Sequence, residues 1–434
     1  MKWSSIAILL VFYGFSKDFK PGEPFLFKYQ AEFLNLTEHQ LNGEIYPYWT
    51  YFYLFSLIPI FLLTDILLYK PILILESIGY MVFRLTLVFG HGVFSQQVGM
   101  ASYGIASAAE IAFYSYIYAK VDKSEFKKLT SWTRAATMVG RTFGYLLSQF
   151  IIITHLGNYF TINEISLASP IFVFVFGLCF PRVHWKQLVQ RMIDNGTKDS
   201  FVAPTTYLNY VKYRLRKIHS DAVKIYSVGF IRKWSLWWAM TTCMSLQISA
   251  YAQSLFAEVQ HEELALNGFA DAIYTASATI AILIMNKVQI SWDKWGEAAL
   301  VLISAIDCAL LLLFSRAQSI YLIWNLARKM VCESYGLVFG FNSFIALILQ
   351  SVLTSIVVDK RGLGMNIRSQ FLVYGAYHAV VAVVFLCSIT YNAVDILLYR
   401  ARINNELEGS IKPKTFVNEP SVATIKATAE DMAI

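Results

Sequence analysis

The chain has 434 residues, of which 56% are apolar, 16% aromatic and only 15% charged, with a formal net charge of +7. Soluble domains carry about 25% charged residues, so the composition excludes an ordinary soluble domain. The positive balance sits mostly in loops on one side of long apolar stretches, which argues against nucleic acid as a partner. No Gly-rich phosphate loop with a following Lys, no His/Cys cluster and no hydrolase, kinase or redox motif is present, so neither an enzyme nor a cofactor or metal is expected.

A bilayer crossing takes about 20 apolar residues. On that measure helices are predicted near 3–30 (broken around Pro21 and Pro24), 46–65, 72–89, 94–118, 132–154, 164–180, 234–255, 267–286, 296–314, 335–358 and 370–391. Lys120, Lys123, Lys127 and Lys128 follow the fourth of these, and the loop 181–233 is strongly basic, whereas 90–97, 155–163 and 256–266 hold no Lys or Arg. Basic loops stay cytoplasmic, which puts the N-terminus inside and the 17–45 loop outside. There Asn35-Leu36-Thr37 forms a glycosylation acceptor. The layout divides into an N-terminal six-helix half (1–180), a basic cytoplasmic loop (181–233), a C-terminal half of about five helices (234–391) and a disordered polar tail (392–434). Within the loop, Leu208, Val211, Leu215, Ile218, Ala222 and Ile225 recur at helical spacing, predicting a basic amphipathic helix on the membrane surface. Two helical halves joined in this way form a bundle that binds its substrate between them and rocks about it.

Ionisable side chains are expensive in hydrocarbon and normally face a cavity or a partner. Glu76, Arg84, Glu110, Arg134, Arg141, Asp271 and Asp307 fall within the apolar segments. Glu110 lies among small residues with aromatics one turn on. A carboxylate beside aromatic faces suits a cationic ring, by Coulomb attraction and cation–π contact; pairing with Arg84 or Arg134 is the structural alternative. Arg134 and Arg141, seven residues apart, share a helix face and read either as an anion-binding wall or as structural charges. Glu23, between two prolines, is expected at a helix break that lines a cavity. Tyr46 and Trp49 open the second helix, where an interfacial belt is the other reading.

Several runs together resemble the reduced folate carrier and thiamine transporter family over nearly the whole membrane portion. They include Gly22-Glu23-Pro24-Phe25-Leu26, Glu44-Ile45-Tyr46-Pro47-Tyr48-Trp49-Thr50-Tyr51, Ile165-Ser166-Leu167-Ala168-Ser169, Leu337-Val338-Phe339-Gly340 and Gln370-Phe371-Leu372-Val373-Tyr374-Gly375. The resemblance implies an all-α, major-facilitator-like two-half bundle in the plasma membrane, carrying a water-soluble vitamin by alternating access. It implies a substrate-facing set of Glu23, Tyr46, Trp49, Glu110, Phe113, Arg134, Gln350 and Tyr374. Thiamine-carrying members have Glu and Trp matching Glu110 and Trp49, and the folate carrier has Arg where Glu110 stands and a substrate-binding Lys where Gln350 stands. These positions favour a thiamine-like organic cation over a folate-like anion. Departures from the thiamine pattern are Phe113 in place of Tyr, Leu246 and Ala250 in place of Asn, and Arg84 and Arg141 in place of uncharged residues. The family's tenth crossing also has no counterpart: Ser319 to Trp324 is apolar but far too short, giving about eleven helices instead of twelve. That leaves the direction of the last two helices open, and a transport-deficient relative acting as a sensor or binding protein is a further reading.

Overall fold

The computed structural model describes residues 5–121, 125–194, 204–259, 266–285, 292–316 and 339–410, and among these there is no β-strand. Residues up to Val383 form one compact unit, and a second begins at Val384. The outward faces of the first are apolar, with Phe55 79% exposed and Phe143, Ile280 and Leu302 likewise uncovered, while Lys17, Asp18, Glu76 and Arg84 are buried. This inverts the soluble pattern and fits hydrocarbon outside and a polar interior. Seven helices among the described residues are long and apolar enough to cross a membrane.

Helix α1 (Ser5–Lys17) is thirteen residues long, or about 20 Å at 1.5 Å per residue. It stops inside the bundle because Pro21 and Pro24 lack the N–H groups a continuing helix needs. The chain turns through Glu23 N–H to Lys20 O at 3.2 Å and Leu26 N–H to Glu23 O at 3.2 Å. A wider-than-α turn follows over Tyr29–Phe33, and a Thr37–Gln40 capping box restarts the chain toward α2 (Tyr46–Ile66). Next come α3 (Lys70–Phe89), α4 (Gly92–Ala109) and α5 (Ile111–Lys120). Sequence periodicity predicts one helix over 94–118, but it is interrupted at Glu110, where Phe113 N–H bonds Glu110 O in a tighter i→i+3 turn. Helices α6 (Phe126–Ile153) and α7 (Tyr159–Leu178) complete the region before the basic loop.

The loop contains α8 (Trp185–Asp194) and the expected amphipathic helix, α9 (Tyr207–Ser227). Leu208 and Leu215 of its apolar stripe stay exposed, while the adjacent face docks: Tyr210 is buried and Arg214 pairs with Asp65 at 2.8 Å. Burial opposes the Arg214 charge, and the Asp65 carboxylate outweighs it, holding the guanidinium pKa above its ordinary value.

Beyond the loop lie α10 (Gly229–Val259), α11 (Asn267–Met285), α12 (Trp292–Arg316), α13 (Phe339–Leu353) and α14 (Ile367–Ser410). Lys233–Glu297 at 2.8 Å and Trp237 Nε1–H to Ser304 Oγ at 3.2 Å make α10 and α12 parallel. Tyr226, at the end of α9 just before α10 begins, bonds Asn342, and Thr354 bonds Gln247 farther along, so α13 runs parallel to α10 as well. The start of α13 therefore lies at the α9 end of the bundle. Its far end meets the 17–45 segment, through Lys360–Glu44 at 2.9 Å and Tyr51 OH to Asp359 Oδ2 at 3.1 Å. Of the two directions open from sequence, Lys360 thus sits with Glu44 and not with the basic loop. Phe314 packs against Phe371 at 6.4 Å, so α12 ends at that same Glu44 end. The expectation of a missing tenth crossing falls on 317–338, outside the described residues. The last helix is longer than expected: it continues past 391 to Ser410, with no Gly or Pro between 391 and Gly409. The remainder of the 392–434 tail, from 411, lies outside the described residues.

Candidate functional site: a charged cavity in the bundle

The break after α1 delivers four charged residues, Lys17, Asp18, Lys20 and Glu23, to the middle of the bundle. Lys17 Nζ donates to Glu76 Oε1 at 2.8 Å and to Glu110 Oε1 at 3.0 Å. Asp18 accepts from Arg141 at 3.2 Å and lies 3.4 Å from Lys20 Nζ. Glu23 lies 3.6 Å from Lys20 and 3.9 Å from Arg84, and accepts from Tyr103 OH at 3.0 Å and Tyr145 OH at 3.2 Å. Four cations and four carboxylates thus meet in two adjoining clusters, together one charged network. Buried charge is tolerable only when paired in this way. Position 22 is tightly enclosed: a Cβ there would sit 2.9 Å from each of the Arg84 guanidinium, Asn163 Oδ1 and Ser166 Oγ, so any larger residue must displace these buried side-chain ends. The Gly22 N–H donates to that same Ser166 Oγ at 2.7 Å, which fixes the turn.

The network forms one wall of a cavity of about 480 Å³. Glu23, Glu110, Lys20 and Arg141 reach it, with Trp49, Tyr53, Tyr80 and Tyr103 between them. The side chain of Glu110 is 32% exposed to this space, whereas those of Lys17 and Glu76 behind it are 3% and 2% exposed. Trp49 is held by Nε1–H to Ser107 Oγ at 3.1 Å, and Tyr46 by its hydroxyl to Gln30 Oε1 at 2.9 Å. The opposite wall, from α10 to α12 and α14, carries Asp271 and Asp307. Asp271 accepts from Gln253 Nε2 at 2.8 Å, and Asp307 lies 4.0 Å from His378. Neither has a Lys or Arg partner among the described residues. Among those residues no group of three or more His, Cys, Asp or Glu side chains comes together as metal ligands.

Of the eight residues expected at the site, Glu23, Tyr46, Trp49 and Glu110 line the cavity together. The other four are placed elsewhere. Phe113 is fully buried behind the wall against Tyr13, with its ring 4.9 Å below the Lys17 ammonium. Arg134 lies over the Tyr114 ring at 5.2 Å, so of the anticipated arginine face only Arg141 reaches the cavity. Gln350 ties α13 to α2 through Thr50 at 3.4 Å. Tyr374 is fully buried, accepting from Gln247 at 3.0 Å and donating to Gln370 at 3.1 Å. The anticipated partners of Glu110, Arg84 or Arg134, are replaced by Lys17. Sequence reading missed Lys17, Asp18 and Lys20 by assigning them to an outside loop. The available signal was length: a thirteen-residue apolar stretch cannot traverse about 30 Å, so the charges that end it must lie inside.

An ion-paired central cavity thus lies within a helical bundle of inverted polarity, an architecture of the major-facilitator type. The fold agrees: the chain is similar to a peptide transporter solved in complex with sulfate (TM-score 0.59, 12% identity, covering 89% of this chain and 94% of that one). The reduced folate carrier family model matches residues 1–326 and 322–373, and the chain belongs to that family. It is a multi-pass membrane protein. It is 38% identical to Folate-like transporter 3 of Caenorhabditis elegans, over 88% of this chain and 95% of the relative. It is 35% identical to Thiamine transporter 1 of Mus musculus, over 89% of each.

Proposed function

We propose that this chain carries a thiamine-like organic cation across the plasma membrane by alternating access, with its N-terminus and basic loop in the cytoplasm. The observation that carries the reading is the exposure of the Glu110 carboxylate to a cavity walled by Trp49, Tyr53 and Tyr103. An aromatic cation gains Coulomb and π-face stabilisation there at once. On that wall Lys20 and Arg141 are paired with Glu23 and Asp18, as Glu110 is with Lys17, so its charges balance; the excess negative charge comes from the opposite wall, where Asp271 and Asp307 have no Lys or Arg partner among the described residues. That weighs against a folate-like substrate even though relatives include proteins named folate transporters.

In this orientation the Glu44 end faces outward. It is tied across the proposed halves by Ser254 Oγ to Asn42 Oδ1 at 2.7 Å and Asn267 Nδ2 to Pro24 O at 3.0 Å, besides the Lys360–Glu44 pair. The conformation is therefore closed to the outside. Asn35 is exposed at that end, as a glycosylation acceptor should be.

Labelled thiamine uptake into cells expressing the chain tests the role of the carboxylate. Glu110→Gln keeps shape and leaves Lys17 paired to Glu76, so the protein reaches the surface while uptake falls at least about tenfold, as loss of a charge-assisted contact implies. Undiminished uptake at equal surface level would remove Glu110 from the site.

A further inference from the structure

The wall opposite the paired network carries polar chemistry that the network does not use. Asp307 on α12 and His378 on α14 both face the cavity. His378 Nδ1 lies 4.0 Å from Asp307 Oδ2, beyond hydrogen-bond reach. The imidazole is only 3% exposed, and Nδ1 has no hydrogen-bond partner among the described residues. Buried polar atoms are normally satisfied; this one is unmet in a residue that lines the cavity, and a group from the cavity reaches it only as the covered imidazole turns toward Asp307. The approach of the two helices is built in: a Cβ at Gly375, one turn before His378, would meet Leu312 of α12 at 3.0 Å. Asp271 on α11 adds a second carboxylate to the wall, held by Gln253 at 2.8 Å. The charged side chains that face this wall from across the cavity, Lys20, Arg141, Glu23 and Glu110, are already paired among themselves and with Lys17 and Asp18. The wall is therefore acidic, with two acceptors facing one gap.

We propose that Asp307 and His378, with Asp271 beside them, form a second subsite that takes an N–H-bearing cationic group, an ammonium or amidinium, on the transported molecule. One nitrogen centre about 2.9 Å from each acceptor closes the gap, donating to Asp307 and to His378 Nδ1, while Asp271 adds long-range attraction. The rest of the ligand extends toward the aromatic wall beside Glu110. A quaternary ammonium is attracted by the carboxylates but has no N–H to give Nδ1, so the subsite distinguishes cations by hydrogen-bond donation as well as by charge. The subsite deepens the organic-cation reading and rests on it, but does not depend on the substrate being thiamine.

The test is binding to the purified full-length chain in lipid nanodiscs, comparing benzamidine with benzyltrimethylammonium. The wild type binds benzamidine at least tenfold more tightly, and both Asp307→Leu, which removes the acceptor, and His378→Phe abolish that preference. Equal affinity of the two probes for the wild type, no binding of either, or a preference that survives Asp307→Leu would overturn the subsite. If Asp307→Leu fails to fold, the wild-type comparison and His378→Phe still decide. The two proposals fail separately: absence of thiamine uptake with the benzamidine preference intact removes thiamine and leaves the subsite, and thiamine uptake without that preference does the reverse.

Discussion

Lys17 is the residue on which the site turns. Its ammonium bridges two carboxylates from different helices, Glu76 on α3 and Glu110 at the α4–α5 break, and its own side chain is 3% exposed. Removing one partner of a buried ion pair leaves uncompensated charge and costs about 3–5 kcal/mol. Lys17→Met should therefore lower the melting temperature of the purified protein sharply. The double variant Lys17→Met with Glu76→Gln should recover most of the loss, because the remaining Glu110 carboxylate reaches the cavity and can be hydrated. A single variant that melts like the wild type would show that the bridge does not hold these helices. At this scale the sequence disclosed Glu23, Trp49 and Glu110, because a carboxylate in an apolar helix and an indole at a helix start are conspicuous. It concealed the partners: an ion pair fifty-nine or ninety-three residues apart in the chain leaves no local pattern. Nor does any spacing rule separate Glu110, which reaches the cavity, from Phe113, one turn on and behind the wall.

At the scale of elements, the breaks matter more than the helices. The two prolines end α1 in mid-bundle, Gly22 lets the turn pack against Arg84, Asn163 and Ser166, and the interruption at Glu110 turns a carboxylate toward the same space. Gly22→Val places methyl groups where those three side chains stand. Overpacking of this kind costs about 1–3 kcal/mol or more, and it displaces Glu23, so surface expression and uptake should fall together. Normal expression and uptake in this variant would mean that the turn is not confined. The broken first helix was legible from Pro21 and Pro24, and the amphipathic helix in the loop from its three-and-four spacing. The docking of that helix was not: the face that binds α2 is formed by Tyr210 and Arg214, beside the apolar stripe and not on it. Helix ends were legible where Pro or Gly marks them and illegible where nothing does, as in α14 beyond 391.

For the whole molecule, the two cavity walls differ in charge, and the proposed preference for a cation rests on that difference. One wall is neutralised by its own ion pairs, and the other keeps Asp271 and Asp307 without a Lys or Arg partner among the described residues. Composition alone revealed the membrane class, and the basic loops give only an expected cytoplasmic end, while the direction of the last two helices relative to the Glu44 end emerged from contacts such as Lys360 with Glu44. Alternating access requires the ties at the Glu44 end to open. Asn42→Cys with Ser254→Cys, at side chains whose polar atoms lie 2.7 Å apart, should cross-link under oxidant and arrest uptake, with recovery on reduction. Full transport by the cross-linked protein would show that this end does not move.

Selection of an organic cation by the cavity is decided by saturable uptake of labelled thiamine and labelled folate, side by side, in cells lacking their own carriers and expressing this chain. The cavity's charge predicts saturable thiamine accumulation, with folate remaining at background. Folate accumulation, with thiamine neither carried nor competing, would contradict it.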